Sequence, residues 1–442
     1  MKGFRKGKTD KIMTAVALLF LATTLASAQE LSINAELRPR AEYRSGYSTP
    51  ITDAISPGGF MLQRTRLGFE FQNAYMKTHL TIQDARTFGE SAITSEPVAP
   101  SGALSVYEAW AEVVLIPGGT VTIGRQTFKY DDYRLFSASN WSNTGKAHDA
   151  VLFKYQLDDS FKGHLAFAYN NDKAISKETV YSGAATYRYM GMLWMSKKLS
   201  EGLLLSAILL DEGMQNKTTN AEGTTTYGSK VDMYHRYTTG GNLKYLKKGC
   251  PFDFLATAYF QFGKTTATKD LNASLFALKT NYTFHPSIKA TLGIDLYSGD
   301  DGKNARKSKT FNWLYGGPHC FNGSMDYWSA SLPVAGLMDT YARLSGKVTP
   351  KLSYDVQCHV FHTAKELEYN NTKQGKSLGS DLDLKLCYKM NPSVLIEGGW
   401  STYFLSDNSR YLKLKSADAK SRTPNWAYIS LSIKPETFKI KL

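Results

Sequence analysis

Residues 31–44 read LSINAELRPRAEYR. Taken alternately, Leu31, Ile33, Ala35, Leu37, Pro39, Ala41 and Tyr43 share one face, and Ser32, Asn34, Glu36, Arg38, Arg40, Glu42 and Arg44 share the other. A strand turns successive side chains to opposite faces, whereas a helix would scatter these charges round its circumference. The same split returns about eighteen times along the chain, with almost no doubly apolar strand to form the core of a soluble sandwich. A sheet whose only dry face points outward needs lipid around it. Lipid tolerates a sheet only when it closes on itself and leaves no unpaired edge. The pattern predicts an all-β fold, a transmembrane antiparallel β-barrel with a polar, charged lumen.

Eighteen strand-like runs follow one another: 31–45, 60–72, 76–88, 105–116, 119–128, 148–157, 161–170, 184–198, 201–212, 234–247, 251–264, 272–284, 287–298, 337–349, 351–363, 378–390, 393–405 and 425–434. Tight turns such as Asn73-Ala74-Tyr75, Pro117-Gly118 and Asn391-Pro392 follow even strands. Long polar loops at 45–59, 129–147, 213–233, 299–336 and 407–424 follow odd ones. Short periplasmic turns and long extracellular loops are the asymmetry expected of a bacterial outer-membrane barrel. Pro435 ends the last ladder, and residues 438–442 are expected to form a short periplasmic tail.

The bulk composition agrees. In the 442-residue chain, residues 1–28 carry a basic start (Lys2, Arg5, Lys6, Lys8, Lys11), an apolar run and the small-residue end Ala26-Ser27-Ala28, which predicts a secretory signal peptide cleaved near Ala28. The expected organisation is signal peptide 1–28 and outer-membrane barrel 29–442. Removing five basic residues and Asp10 lowers the formal charge from +14 to +10, a surplus that suggests anionic partners without a basic run dense enough for nucleic acid. A mean hydropathy of −0.33 suits a barrel, because only half of each strand meets lipid. The 27 Tyr, 22 Phe and 7 Trp residues can supply aromatic girdles at both interfaces. Cys250, Cys320, Cys358 and Cys387 have no CxxC or zinc spacing, and by phase Cys358 points out while Cys387 points in. Neither a disulfide framework nor a metal site is expected.

Residues 124–150 read GRQTFKYDDYRLFSASNWSNTGKAHDA. With Gln83-Asp84-Ala85-Arg86, Tyr107-Glu108-Ala109-Trp110, Ser298-Gly299-Asp300-Asp301, Leu314-Tyr315 followed by His319 and Gly323, Leu378-Gly379-x-Asp381-Leu382-Asp383 and Asn425-Trp426-Ala427-Tyr428, this block resembles the alginate export family of outer-membrane β-barrel proteins. The similarity runs across essentially the whole mature chain. It departs at Lys146, where arginine is more usual, and at His148, where an aromatic is common. The resemblance implies an eighteen-stranded barrel whose arginine-rich constriction passes an anionic polyuronate outward.

Strands 31–45 and 60–72 aim Arg38, Arg40 and Arg44 beside Arg64 and Arg66. Guanidinium forks match carboxylates and cannot lose their charge, so such a ladder suits a passing polyanion. The same arginines could instead pair with Glu36, Glu42 and Glu70 and merely neutralise the wall. The expected pore-lining set is Arg38, Arg40, Arg44, Arg64, Arg66, Arg86, Arg125, Arg134 and Asp149. Within it, Arg125 and Arg134 with Asp131, Asp132 and Asp149 form a candidate ion-pair network that folds loop 129–147 into the pore. Asp300 and Asp301 offer too few oxygens to assert a calcium site. Asp295, Asp339, Asp355 and His359 supply ingredients for a catalytic triad, but no GxSxG motif occurs, so no enzyme is expected. The alternative function is a general or anion-selective uptake porin. No cofactor is expected. Expected partners are outer-membrane lipid and an anionic polysaccharide or other small anions, with periplasmic export machinery as a further candidate and no nucleic acid.

Overall fold

A computed structural model describes residues 29–89, 104–171, 186–219, 221–223, 225–227, 233–329, 331–369 and 371–441. The expected signal peptide lies outside the described residues. Eighteen antiparallel strands form the wall: β1 (Glu30–Ser45), β2 (Gly58–Gln72), β3 (Met76–Thr87), β4 (Ser105–Ile116), β5 (Gly119–Gln126), β6 (His148–Gln156), β7 (Phe161–Tyr169), β8 (Tyr189–Ser200), β9 (Leu203–Gln215), β10 (Met233–Tyr245), β11 (Phe252–Thr266), β12 (Lys269–His285), β13 (Ile288–Tyr297), β14 (Leu337–Lys347), β15 (Leu352–His362), β16 (Ser377–Asn391), β17 (Val394–Leu405) and β18 (Asn425–Ile433). Each pairs with its neighbours in sequence, and β18 returns to β1 with Arg44 opposite Trp426 and Leu37 opposite Ile433. The sheet is closed, so it presents no free edge.

The sequence phase holds strand by strand. In β13, Leu292 on the outer face is 64% exposed while Thr291 and Asp295 on the inner face are 4% and 1% exposed. Cys358 is exposed on the outer face, whereas the Cys387 thiol contacts Glu397 on the inner wall at 3.3 Å. The turns after even strands are tight, and most connections after odd strands are long. One odd connection, between β11 and β12, is only a two-residue turn at 267–268. The expected tail is a strand instead. Phe438–Lys441 pairs with Glu30–Ile33, resuming on β1 the ladder that Pro435 interrupts. Without it, the first residues of β1 would keep one row of unpaired backbone groups.

Two long loops fold into the lumen, 127–147 between β5 and β6 and 298–336 between β13 and β14. Their backbones zip together: Tyr315 N–H donates to Leu135 O at 3.0 Å, Ser137 N–H to Tyr315 O at 3.1 Å and Gly317 N–H to Tyr133 O at 3.0 Å. Phe128, Leu135, Phe136, Phe311, Trp313, Met325, Tyr327 and Trp328 from these loops bury themselves against wall residues such as Tyr259, Tyr297, Phe361 and Tyr403. The barrel therefore has a dry core, supplied by loops rather than by its strands. Six of the nine non-glycine residues with positive φ among the described residues lie here: Asp131, Tyr133, Ser139, Leu314, Asn322 and Asp326. A short helix, α1 (Asp407–Leu414), is capped at Ser406 by a reciprocal bond with Ser409 and lays Lys413 over Trp328 at 4.9 Å.

Candidate functional site

β1 and β2 build the site from register alone. Arg38 stands directly opposite Arg64, and Glu36 opposite Arg66. Like charges across a ladder are unfavourable unless each finds a partner. Arg64 donates twice to Glu36, at 2.8 and 2.5 Å, while Glu42 sits between Arg40 and Arg44, accepting from each at 2.8 Å. Among the described residues, Arg38 and Arg66 have no carboxylate contact. Arg38 reaches the carbonyls of Asn140, Trp141 and Ser142 at 2.5, 3.3 and 3.0 Å, and Arg66 reaches Gln83 at 2.8 Å and the Thr144 carbonyl at 3.2 Å. Arg40 and Arg64 also donate to carbonyls of 140–142. Segment 140–144 of the first inserted loop is thus moored on the arginines through its backbone. Carbonyl oxygens solvate guanidinium without cancelling its charge, so five guanidiniums face only two carboxylates.

Aromatic rings complete the wall. Arg40 lies over Trp141 at 4.0 Å, Arg44 over Tyr47 at 4.1 Å and Arg66 over Tyr107 at 3.6 Å. Tyr107 owes its place to a β-bulge: Thr81 pairs with Glu108 and Ile82 with Val106, leaving Tyr107 as the extra residue. The bulge lets consecutive Tyr107 and Glu108 both turn inward. On the same side, Tyr47 and His319 clasp Asp326, with His319 Nδ1 2.9 Å away and its ring 4.4 Å from Trp141. Burial opposes ionisation of Asp326, but His319 and the hydroxyl contacts prevail and hold its carboxyl below the usual range.

The opposite charge lies on β13–β16 and is covered. Asp295, Asp339, Asp381 and Asp383 are each at most 3% exposed. Asp381 accepts the Met325 N–H at 3.0 Å and Asp383 the Ser324 N–H at 3.2 Å, so this acidic wall anchors the second inserted loop. Gly323 is required there: its φ is +76°, and a Cβ would stand 2.2 Å from Asp381 Oδ2. Arg134, 3% exposed, pairs with Asp132 of its own loop at 2.8 Å and pins that loop to the same wall through Asp295 at 2.7 Å and the Tyr297 hydroxyl at 2.5 Å.

Of the expected pore-lining residues, Arg38, Arg40, Arg44, Arg64 and Arg66 therefore come together on the lumenal wall, and Arg134 lies inside the barrel but buried. Three others face outward. Arg86 stands opposite Gln63, one position out of phase with lumenal Arg64 and Gln83, and pairs with Asp84 at 2.7 Å. Gln83 and Arg86 are three residues apart, so a strand cannot turn both to the same side. Arg125 and Asp149 pair at 3.0 Å on the outer face of β5 and β6, in phase with Ile123, which is 55% exposed to the outside. The expected five-residue network is thus two separate contacts, Arg134 with Asp132 inside and Arg125 with Asp149 outside. Glu70 contacts Lys77 and His79 rather than the arginines.

Asp300 and Asp301 accept N–H bonds from Gly302, Lys309 and Lys303, the capping pattern of a polar loop start. His359 does meet Asp339 at 2.9 Å, deep in the acidic wall, but no hydroxyl or thiol hydrogen-bonds to that histidine among the described residues. The mooring carbonyls escaped the sequence reading because a backbone acceptor carries no residue identity. The covering aromatics did leave a signal in the density of rings at 128–141 and 311–328.

The family model for alginate export matches residues 29–410. A search of curated proteins finds no match. Among solved structures the barrel is similar to Acinetobacter baumannii OccAB1 (TM-score 0.61, 11% identity, covering 93% of this chain and 97% of that one). It is also similar to Pseudomonas aeruginosa OccK5 (TM-score 0.58, 10% identity, 93% and 98%) and to the outer membrane protein OprD from Pseudomonas aeruginosa (TM-score 0.56, 12% identity, 93% and 94%). At these identities the likeness concerns the fold. By its closed barrel and its sequence together, the chain is an outer-membrane β-barrel channel and belongs to the alginate export family.

Proposed function

We propose that the chain, after removal of residues 1–28, is a passive conduit for an anionic polysaccharide of the polyuronate type. The observation that carries this reading is the surplus of guanidinium on β1 and β2, where Arg38, Arg40, Arg44, Arg64 and Arg66 outnumber Glu36 and Glu42. A charged, low-dielectric bore focuses its field on the passing ion, so a local surplus decides selectivity even when the whole lumen is nearly balanced. Coverage of the acidic wall by the second inserted loop adds to the imbalance presented to solvent. Arginine suits the cargo, since its planar fork binds carboxylates bidentately and stays charged at every working pH. Rings beside Arg40, Arg44 and Arg66 can stack on sugar faces while the guanidiniums hold the acid groups. The test is current block in planar bilayers. Polygalacturonate should interrupt the current and a neutral glucan of equal length should not. Equal block by both would refute the reading.

A second reading, uptake of small anions, is favoured by how much of the lumen the two inserted loops fill. Free passage of acetate-sized anions with no entry of the oligomer would select it.

A further inference from the structure

Beyond the arginine ladder, the lumen holds a cavity lined in part by the loop tip Asp131–Tyr133. It lies toward the short-turn end of the barrel, beneath that tip and between β6 and β12, with a volume of about 660 Å³. Many of its wall residues come from the even-strand turns and the strand ends beside them: Asp159 and Ser160 precede β7, Lys162 is its second residue, Lys244 is the last but one of β10 and Asp253 the second of β11. Short turns mark the periplasmic side of such barrels, which makes this the periplasmic mouth of the bore.

Two features of this cavity go unused by the fold. Lys162, Lys244 and Lys279 all point inward and form no ion pair or hydrogen bond among the described residues. Lys244 and Lys279 flank Leu255 on one rung, Lys244 opposite it from β10 and Lys279 from β12. Two strand spacings put their backbones about 10 Å apart. Most lumenal arginines, by contrast, are tied to glutamates, aspartates or loop carbonyls. The second feature is Tyr133. It holds a φ of +70°, its N–H bonded to Tyr130 O and its carbonyl to Gly317 N–H, both at 3.0 Å. A bulky residue is strained there, yet 46% of Tyr133 remains exposed, so burial does not offset the strain. Trp194 on the same wall is already engaged: its indole N–H donates to Asp131 Oδ1 at 3.0 Å. Burial pushes the Asp131 carboxyl up, against the hydrogen-bond donors Ser206, Trp194 and Tyr259 that favour its ionised form. Asp253 is occupied by Asn281.

We infer that the periplasmic mouth is an entry subsite for one acidic sugar residue: its carboxylate between Lys244 and Lys279, with Lys162 across the mouth, and its ring against Tyr133. The inference deepens the polyuronate reading and rests on it. It adds a loading station on the near side of the inserted loop, so a chain would meet lysine first and arginine afterwards. Lysine is the apt choice for loading, because a hydrated point charge on a flexible stem holds a carboxylate without the fixed fork that would slow release.

The experiment is sided block of single channels by tetragalacturonate, with maltotetraose as the neutral control. In the Lys162→Gln/Lys244→Gln/Lys279→Gln variant, block by periplasmic addition should weaken about tenfold, as expected from losing three modest charge contacts, while block from the outer side stays as in the unmodified chain. Tyr133→Leu should weaken periplasmic block and leave the reversal potential unchanged, which a merely structural role would not separate. Heat-modifiable gel mobility checks that both variants keep the barrel. Unaltered periplasmic block in the triple variant would overturn the subsite alone. Absence of block from either side in the unmodified channel would overturn the subsite and the polyuronate reading together.

Discussion

Replacing Arg38 and Arg66 with glutamine removes the two lumenal guanidiniums that no carboxylate balances. Five positive charges against two carboxylates become three against two, so a surplus of three falls to one. An anion about 6 Å from a guanidinium in aqueous surroundings gains about 0.7 kcal/mol, so two such losses amount to about 1.4 kcal/mol, roughly tenfold in anion occupancy. That distance lies within the ~10 Å screening length at 0.1 M salt but well beyond the ~3 Å length at 1 M. Reversal potentials under a potassium chloride gradient should therefore show the chloride-to-potassium permeability ratio of Arg38→Gln/Arg66→Gln falling about tenfold at 0.1 M, with the difference fading at 1 M. Unit conductance should rise, because segment 140–144 loses the Arg38 and Arg66 donors that hold it across the bore. An unchanged permeability ratio in a barrel of normal gel mobility would refute the electrostatic reasoning.

Neutralising the outward residues should do nothing of the kind: Arg86→Gln and Arg125→Gln are expected to leave the permeability ratio where it is, measured in the same gradient. Arg134→Met strands Asp132 and Asp295 in the loop core without counter-charge, a loss of about 3–5 kcal/mol, and should open the channel to larger conductance and expose loop 127–147 to protease. Lys413 gives a pH signature. Burial pushes its ammonium down to about 8, only partly opposed by Asp326, so the released loop binds a proton more readily than the docked one. Docking of α1 should then be weakest below pH 8 and tighten as pH rises from about 8 toward the free lysine value of about 10.4, seen as falling proteolysis of loop 406–424, with the trend abolished in Lys413→Met.

The wall was legible because lipid imposes one rule on every strand. Any polar side chain on the outer face costs free energy, so Leu292, Leu296, Leu384 and Leu386 mark the phase however much their lumenal neighbours vary. The errors arose where that rule weakens. Arg86 and Arg125 sit near the outer ends of β3 and β5, where an outward charge paired with Asp84 or Asp149 reaches water. Their own strands held the answer, since Ile82 and Asp84 share the face of Arg86, and Ile123 that of Arg125. The lumen was less legible for a different reason. Whether Arg64 meets cargo, Glu36 or a carbonyl of Asn140 depends on where a loop seventy-odd residues later comes to rest. Loop insertion leaves no periodicity, only a concentration of rings in segments that would otherwise be polar.

The two native cysteines on neighbouring strands test the organising claim most directly, because Cys358 faces outward from β15 and Cys387 inward from β16. In liposomes, with the other cysteines replaced by serine, a charged, membrane-impermeant thiol reagent should modify Cys387 through the water-filled bore and spare Cys358, which a lipid-dissolved reagent should reach. Modification of Cys358 by the charged reagent, with Cys387 protected, would invert the barrel's two faces and contradict the account.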